Sequence, residues 1–243
     1  MRKVFVPLEN NPEVMNPLAR KLGLSPDLSF HDVLSFTEPD LLAVIPRPAY
    51  ALLFLFYITP ASEKFLEAEE ATFPKYEGSG PSEPILWYYQ TIGHACGLIG
   101  LLHCTTNGAA ADFITPDSIL SRFIQDAIPL NPTDRAQLIY DFAELESAHY
   151  EAAKQGDSIA PDVHAGEDVQ GAFLAFVKGK DGHLWELEGR RKGPVDRGLL
   201  GENEDVLSEK ALNMGPLQFL KREEETGGGQ LMFSCLALGP SLD

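Results

Sequence analysis

Cysteine is scarce in this chain: Cys96, Cys104 and Cys235 are the only three in 243 residues. Three thiols build no disulfide framework, and their spacing carries no paired zinc-ligand pattern, so neither a disulfide scaffold nor a structural metal is expected. Positive charge is short as well. Nineteen Lys and Arg against 36 Asp and Glu leave a net charge of −17, which repels a nucleic-acid backbone or an anionic membrane surface and favours a basic partner. Long hydrophobic runs are missing: the longest, Ala49 to Ile58, is too short to cross a bilayer, and no basic-then-apolar leader opens the chain. The expectation is a protein without membrane or nucleic-acid partners, in the cytoplasm. Internal repeats and domain-splitting linkers are also absent. With 44% hydrophobic residues to fill a core, residues 1–243 read as one domain.

Periodicity sets out the elements. Residues 3–7 read as a short strand. Asn11-Pro12-Glu13 caps and opens a helix with Val14, Leu18 and Leu22 on one face, ended by Gly23. A short helix or turn follows Pro39 and is stopped by Pro46 and Pro48. Ala49 to Ile58 is apolar without alternation, as in a central strand covered on both faces. Residues 59–84 read as a surface helix and a flexible connection, and Ile85 to Tyr89 as a short extended piece. Helices are expected from Cys96 and from Ser118, and a longer one from Asn131-Pro132 carrying Leu138, Phe142, Leu145 and Ala152, with His149 on it as a structural histidine. Gln155 to Asp168 has no apolar period and is too long for a simple connection. Ala172 to Val177 and His183 to Leu187 read as a hairpin, Gly189 to Gly201 as a basic loop, Asp205 to Leu220 as a helix and Leu231 to Leu238 as a last strand.

Chemistry concentrates in Gln90-Thr91-Ile92-Gly93-His94-Ala95-Cys96-Gly97-Leu98-Ile99-Gly100-Leu101-Leu102-His103. A glycine-punctuated turn delivers Cys96 to the start of an apolar helix, where unpaired backbone N–H groups and the helix dipole favour a negatively charged sulfur. The Gln90 amide can donate to an oxyanion forming on a carbonyl attacked by Cys96, which suggests acyl transfer. The alternative reading is a small buried hydrophobe with an unrelated glutamine nearby.

That segment resembles the nucleophile segment of the ubiquitin C-terminal hydrolase family of cysteine peptidases. Pro7-Leu8-Glu9-Asn10-Asn11-Pro12-Glu13, Pro46-Arg47-Pro48 and Asp181-Gly182-His183-Leu184-Trp185-Glu186-Leu187-Glu188-Gly189-Arg190 extend the resemblance over nearly the whole chain. It implies an α/β (α+β) fold of the papain-like clan: a central antiparallel sheet flanked by helices, a knotted backbone, and a crossover loop, here Gln155 to Asp168. It implies a monomer that needs no metal or organic cofactor and cleaves at the C-terminal tail of ubiquitin or a ubiquitin-like protein.

For the site, the resemblance implies Cys96 as nucleophile, Gln90 as oxyanion donor and Glu188 as the orienting acid, a glutamate where the family pattern has aspartate. The family's general-base histidine falls on Ala172 in Gly171-Ala172-Phe173-Leu174-Ala175-Phe176-Val177, so the imidazole is missing. His94, where the family usually has Asn, is a candidate replacement base two residues before the nucleophile. Three readings stand together: a thiol hydrolase with an altered base, a binding module that grips a ubiquitin-like tail without cutting it, and an acyl-transfer or ligase-like enzyme acting on a small acyl substrate.

Overall fold

In the computed structural model, which describes residues 3–156, 171–225 and 232–242, the first element is α1 (Pro12–Leu22). Asn11 caps it by accepting from the Val14 N–H, and Gly23, at φ 114°, ends it. Strand β1 (Leu28–Asp32) follows, then the short α2 (Pro39–Ala43), β2 (Ala51–Tyr57) and α3 (Pro60–Glu70). Helix α4 (Cys96–Thr105), a 3-10 turn over Gly108–Phe113, α5 (Ile119–Ala127), α6 (Pro132–Asp141) and α7 (Ala143–Ala153) make the helical middle. The last part holds β3 (Gly171–Lys178), β4 (His183–Leu187), β5 (Val195–Leu199), α8 (Glu209–Met214), α9 (Pro216–Glu225) and β6 (Phe233–Pro240).

The strands form one six-stranded sheet in the order β1-β6-β2-β3-β4-β5, antiparallel throughout. β2 lies between β6 and β3 and is buried on both faces, as its unbroken apolar run requires. Side chains alternate along each strand. Leu53, Phe173, Ala175 and Leu236 join the core beneath α1, α4, α5 and α7, whereas Phe54, Phe56, Ala172, Leu174 and Phe176 join an aromatic-rich core beneath α8 and α9.

Several elements differ from the sequence reading, each for a local reason. Residues 3–7 form no strand; Val4 makes a single bridge to Gly93, and the segment is held by Gly93 N–H to Lys3 O (2.9 Å) and Phe5 N–H to Gly93 O (2.8 Å). The helix from Asn131 is two helices, broken at Phe142, whose extended ψ of 90° cannot continue the first. Gly189 to Gly201 contains the edge strand β5, unseen because its residues are polar and half-exposed. β1 does alternate, with Leu28 and Phe30 buried and Ser29 and His31 half-buried, but over only five residues, too short a run to stand out. The helix of Asp205 to Leu220 divides at Gly215-Pro216, where proline opens a second one. The crossover loop, and with it the knotted path, falls from residue 157 on outside the described residues.

Candidate active site

Helix α4 carries apolar or small side chains around its whole circumference, and from Gly97 onward it is buried. Two glycines allow its backbone to sit deep. A Cβ on Gly100 would lie 2.6 Å from Leu53 Cδ1 and 3.6 Å from Phe173 Cβ, and one on Gly97 would lie 3.0 Å from Leu8 Cβ. The helix is thereby pressed onto β2 and β3, with its first residue, Cys96, over the start of β3. Cys96 itself keeps partial solvent exposure.

Three strands of contact fix the loop before Cys96. The Val4 bridge holds Gly93. His94 takes φ 56°, a left-handed conformation that Asn and His tolerate better than most side chains. Tyr88 donates its N–H to His103 Nε2 (3.0 Å) from inside α4, stacking its ring on the imidazole. His103 is fully buried, which pushes its pKa down to about 3 and keeps it neutral. His149 is likewise structural: its ring bonds Val6 O at 2.7 Å, and burial lowers it to about 4.

The turn after β4 closes the other side. Gln90 N–H donates to Gly189 O (2.7 Å), and Trp87 Nε1 donates to Glu188 O (3.2 Å). Gly189 has no room for a side chain, since a Cβ would lie 2.8 Å from Ile99 Cγ2 and 3.0 Å from Gln90 Cβ. Cys96, Gln90 and Glu188 are therefore gathered around the first turn of α4. The Gln90 amide donates to Ile92 O (3.2 Å), along the loop that leads to Cys96. Glu188 is buried, and its Oε1 accepts from both the N–H (3.2 Å) and Nε (2.8 Å) of Arg190.

Two sequence-named residues stand apart. Ala172 does not face Cys96: it is fully buried among Phe54, Phe56 and Phe176 on the opposite face of the sheet. The residue on the Cys96 side is Phe173, because side chains alternate along β3 and a one-residue difference in reading the strand exchanges its faces. His94 makes no hydrogen bond or ion pair with any described residue, and the charged groups that act most on Cys96 are Arg190 and Glu188. Arg190 lies in the block that resembles the family and carries no role there; its signal is a basic residue two positions after the acid.

Burial is the largest influence on the Cys96 thiol and raises its pKa above the ordinary value. Arg190 and the backbone N–H groups of Gly97 and Phe173, both donating to the sulfur, oppose this, whereas Glu188 adds to it. The described residues hold no group of His, Cys, Asp and Glu able to bind a metal ion. A cavity of about 880 Å³ lined by Arg47, Tyr50, Asp112, Lys180 and Glu202 opens at the far ends of β2 and β3, away from this chemistry.

Residues 5–214 match the family model for ubiquitin carboxyl-terminal hydrolase, family 1. The chain belongs to the ubiquitin carboxyl-terminal hydrolase family. It is 34% identical over 232 residues to ubiquitin carboxyl-terminal hydrolase isozyme L1 of Monodelphis domestica, with 96% of each chain covered. It is 32% identical over 237 residues to ubiquitin carboxyl-terminal hydrolase 3 of Arabidopsis thaliana, covering 97% of this chain and 94% of that one. The fold is similar to that of the Trichinella spiralis UCH37 catalytic domain bound to ubiquitin vinyl methyl ester, at 15% identity and a TM-score of 0.71, over 98% of this chain and 95% of that one. The family's antiparallel sheet flanked by helices is thus present, and no helix among the described residues is long and apolar enough to cross a membrane.

Proposed function

We propose that this chain is a slow thiol hydrolase acting on acyl, amide or isopeptide bonds at the C-terminus of ubiquitin or a ubiquitin-like protein. The observation that carries the reading is the gathering of Cys96, Gln90 and Glu188 around one helix N-terminus in a chain of this family. Cys96 loses its proton to solvent and attacks the carbonyl carbon. The oxyanion is held by the Gln90 amide and the N–H groups at the start of α4; the leaving amine takes a proton from water, and a second water hydrolyses the thioester. Slowness follows from Phe173, which presents a ring with no titratable group where an imidazole would draw the proton from sulfur. The acidic surface, at a net charge of −17, suits a basic tail.

The same phenylalanine favours a second reading, a module that grips the tail without cutting it. One experiment separates the two: reaction with an electrophilic probe built on the ubiquitin C-terminus, read by intact mass, beside hydrolysis of a fluorogenic ubiquitin amide. Labelling at Cys96 with measurable hydrolysis is the expected result. Ubiquitin binding without labelling would make the chain a binding module, and neither binding nor labelling would remove ubiquitin as its target.

A further inference from the structure

We infer that Arg191 is the positioning residue of the oxyanion donor: it clasps the turn after β4 to the end of α3, and that turn holds Gln90 in place. The inference rests on the reading of Gln90 as oxyanion donor and deepens it by naming what keeps that amide within reach of the bond to be cut.

The turn is Glu188-Gly189-Arg190-Arg191, closed by the Arg191 N–H, which donates to Glu188 O at 3.3 Å. The same Glu188 carbonyl accepts from Trp87 Nε1 at 3.2 Å, and Gly189 O accepts from the Gln90 N–H at 2.7 Å. A Cβ on Gly189 would lie 2.8 Å from Ile99 Cγ2 and 3.1 Å from Tyr88 O, so the turn lies directly on α4 and on the segment that carries Gln90. Upstream, the next anchor is the Tyr88 N–H on His103 Nε2 at 3.0 Å, and Tyr89 between the two is 38% exposed. Moving the turn therefore moves Gln90.

Arg191 is what keeps the turn from moving. Its side chain is 2% exposed, with Nη1 donating to Glu186 Oε1 (2.9 Å), Nη2 donating to Glu69 Oε2 (2.6 Å) and Nε 3.4 Å from Glu70 Oε1. Glu70 also takes the following backbone group, accepting from the Lys192 N–H at 3.0 Å, and Lys192 O accepts from the Tyr76 N–H at 2.9 Å. Glu69 and Glu70 are the last two residues of α3. A planar guanidinium held by carboxylates of two different elements has one direction, whereas an apolar side chain of similar size would fill the space without fixing one. Arg197 pairs with the same Glu186 (2.8 Å) and Glu69 (2.6 Å) from β5, so both acids keep a partner when Arg191 is replaced and the hold on the turn is what is lost.

Arg191 touches no reacting atom. It acts through Gly189 and Gln90, and the effect on rate follows because an oxyanion donor works only where it is already in place when charge develops on oxygen.

The test is hydrogen exchange of the Gln90 amide, read by NMR on the isotope-labelled full chain, beside steady-state hydrolysis of a fluorogenic ubiquitin amide. Arg191→Met is expected to speed exchange at Gln90 by about tenfold or more while amides within α1 and α6 keep their rates. It should lower kcat by about tenfold with KM unchanged, and leave the rate of Cys96 alkylation by iodoacetamide, which forms no oxyanion, as it is. Glu70, 25% exposed at its side chain, supplies a milder variant. Glu70→Ala should move exchange and kcat the same way by about two- to fivefold, and Glu70→Gln, which keeps an acceptor for the Lys192 N–H, should restore both. Faster exchange by the same factor at Gln90 and within α1 and α6 would mark a loss of global stability alone and overturn the inference. An unmoved Gln90 amide would overturn it too, as would faster exchange at Gln90 with kcat unchanged. A wild type that hydrolyses nothing, with Gln90 responding as expected, would leave Arg191 holding Gln90 and remove the ubiquitin reading; hydrolysis with an unmoved Gln90 amide would do the reverse.

Discussion

The backbone N–H of Phe173 donates to the sulfur of Cys96, and both side chains lie on one face of the sheet. β4 pairs only with Ala175 to Lys178, so on that edge the first residues of β3 have no strand neighbour. The thiol occupies the opening. A sulfur fed by two backbone donors is stabilised as an anion by hydrogen bonds but held neutral by burial, and burial wins.

Replacing the ring tests this arrangement directly. Phe173→His puts an imidazole beside Cys96 and is expected to raise the rate of probe labelling at neutral pH by about tenfold or more, within the range general-base catalysis supplies. Ala172→His sends the imidazole into the Phe54, Phe56 and Phe176 cluster instead. Overpacking and an unpartnered ring there should cost about 1–3 kcal/mol and leave labelling no faster. Urea melts and intact-mass labelling of both variants read the contrast; gain in Ala172→His alone would reverse the assignment of faces.

Gln90 offers a separate check on acyl chemistry. Gln90→Ala removes the side-chain donor and is expected to slow hydrolysis of a fluorogenic ubiquitin amide by about 10²–10³-fold. Alkylation by iodoacetamide, which forms no oxyanion, should change little. Equal slowing of both reactions would show that the glutamine shapes the loop through its bond to Ile92 O and holds no oxyanion.

Much of the fold was legible because it was written in burial. The apolar run of β2, the Asn11 and Asn131 caps and the hairpin turn at Asp181-Gly182 all appear where the residue types demand. β5 was not legible, since an edge strand of half-exposed residues carries no alternation to read, and β1 was not because its alternation of Leu28 and Phe30 with Ser29 and His31 lasts only five residues. At the site, Cys96 and Gln90 are legible from their chemistry at the head of an apolar helix, and Glu188 only through the family resemblance of the block Asp181 to Arg190. The Ala172 assignment failed because period-two alternation makes a single-residue difference in alignment exchange sheet faces, and nothing local in Gly171-Ala172-Phe173 fixes the register. That register is set by Leu55 opposite Phe173 and Phe56 opposite Ala172, contacts remote in sequence.

Glu186 is the keystone of a buried ion cluster under α3. Its two oxygens receive Arg191 Nη1 (2.9 Å) and Arg197 Nε (2.8 Å), while Glu69 of α3 receives both arginines as well. Glu186 is 1% exposed. Glu186→Gln keeps the shape but leaves two guanidinium groups under-neutralised, an expected loss of about 3–5 kcal/mol. That corresponds to a fall in melting temperature of roughly 6–20 °C for a chain of this size. A change under a degree would show that Glu69 and Glu70 suffice to hold α3.

Acid sensitivity should be traceable in part to His149; the fully buried His103 is also held neutral. His149, neutral and donating to Val6 O, has a folded pKa lowered to about 4 from an ordinary 6.5. Between those values the unfolded chain binds the proton and the folded chain does not, so stability is full above about pH 6.5 and falls as pH drops towards 4. By pH 5 the loss is of the order of 2 kcal/mol. His149→Gln keeps a donor for Val6 O and removes the titration. Urea midpoints for both proteins at about pH 7.5 and about pH 5 should show a smaller acid-induced drop in the variant, and equal drops would mean that His149 is solvated or charged in the folded protein.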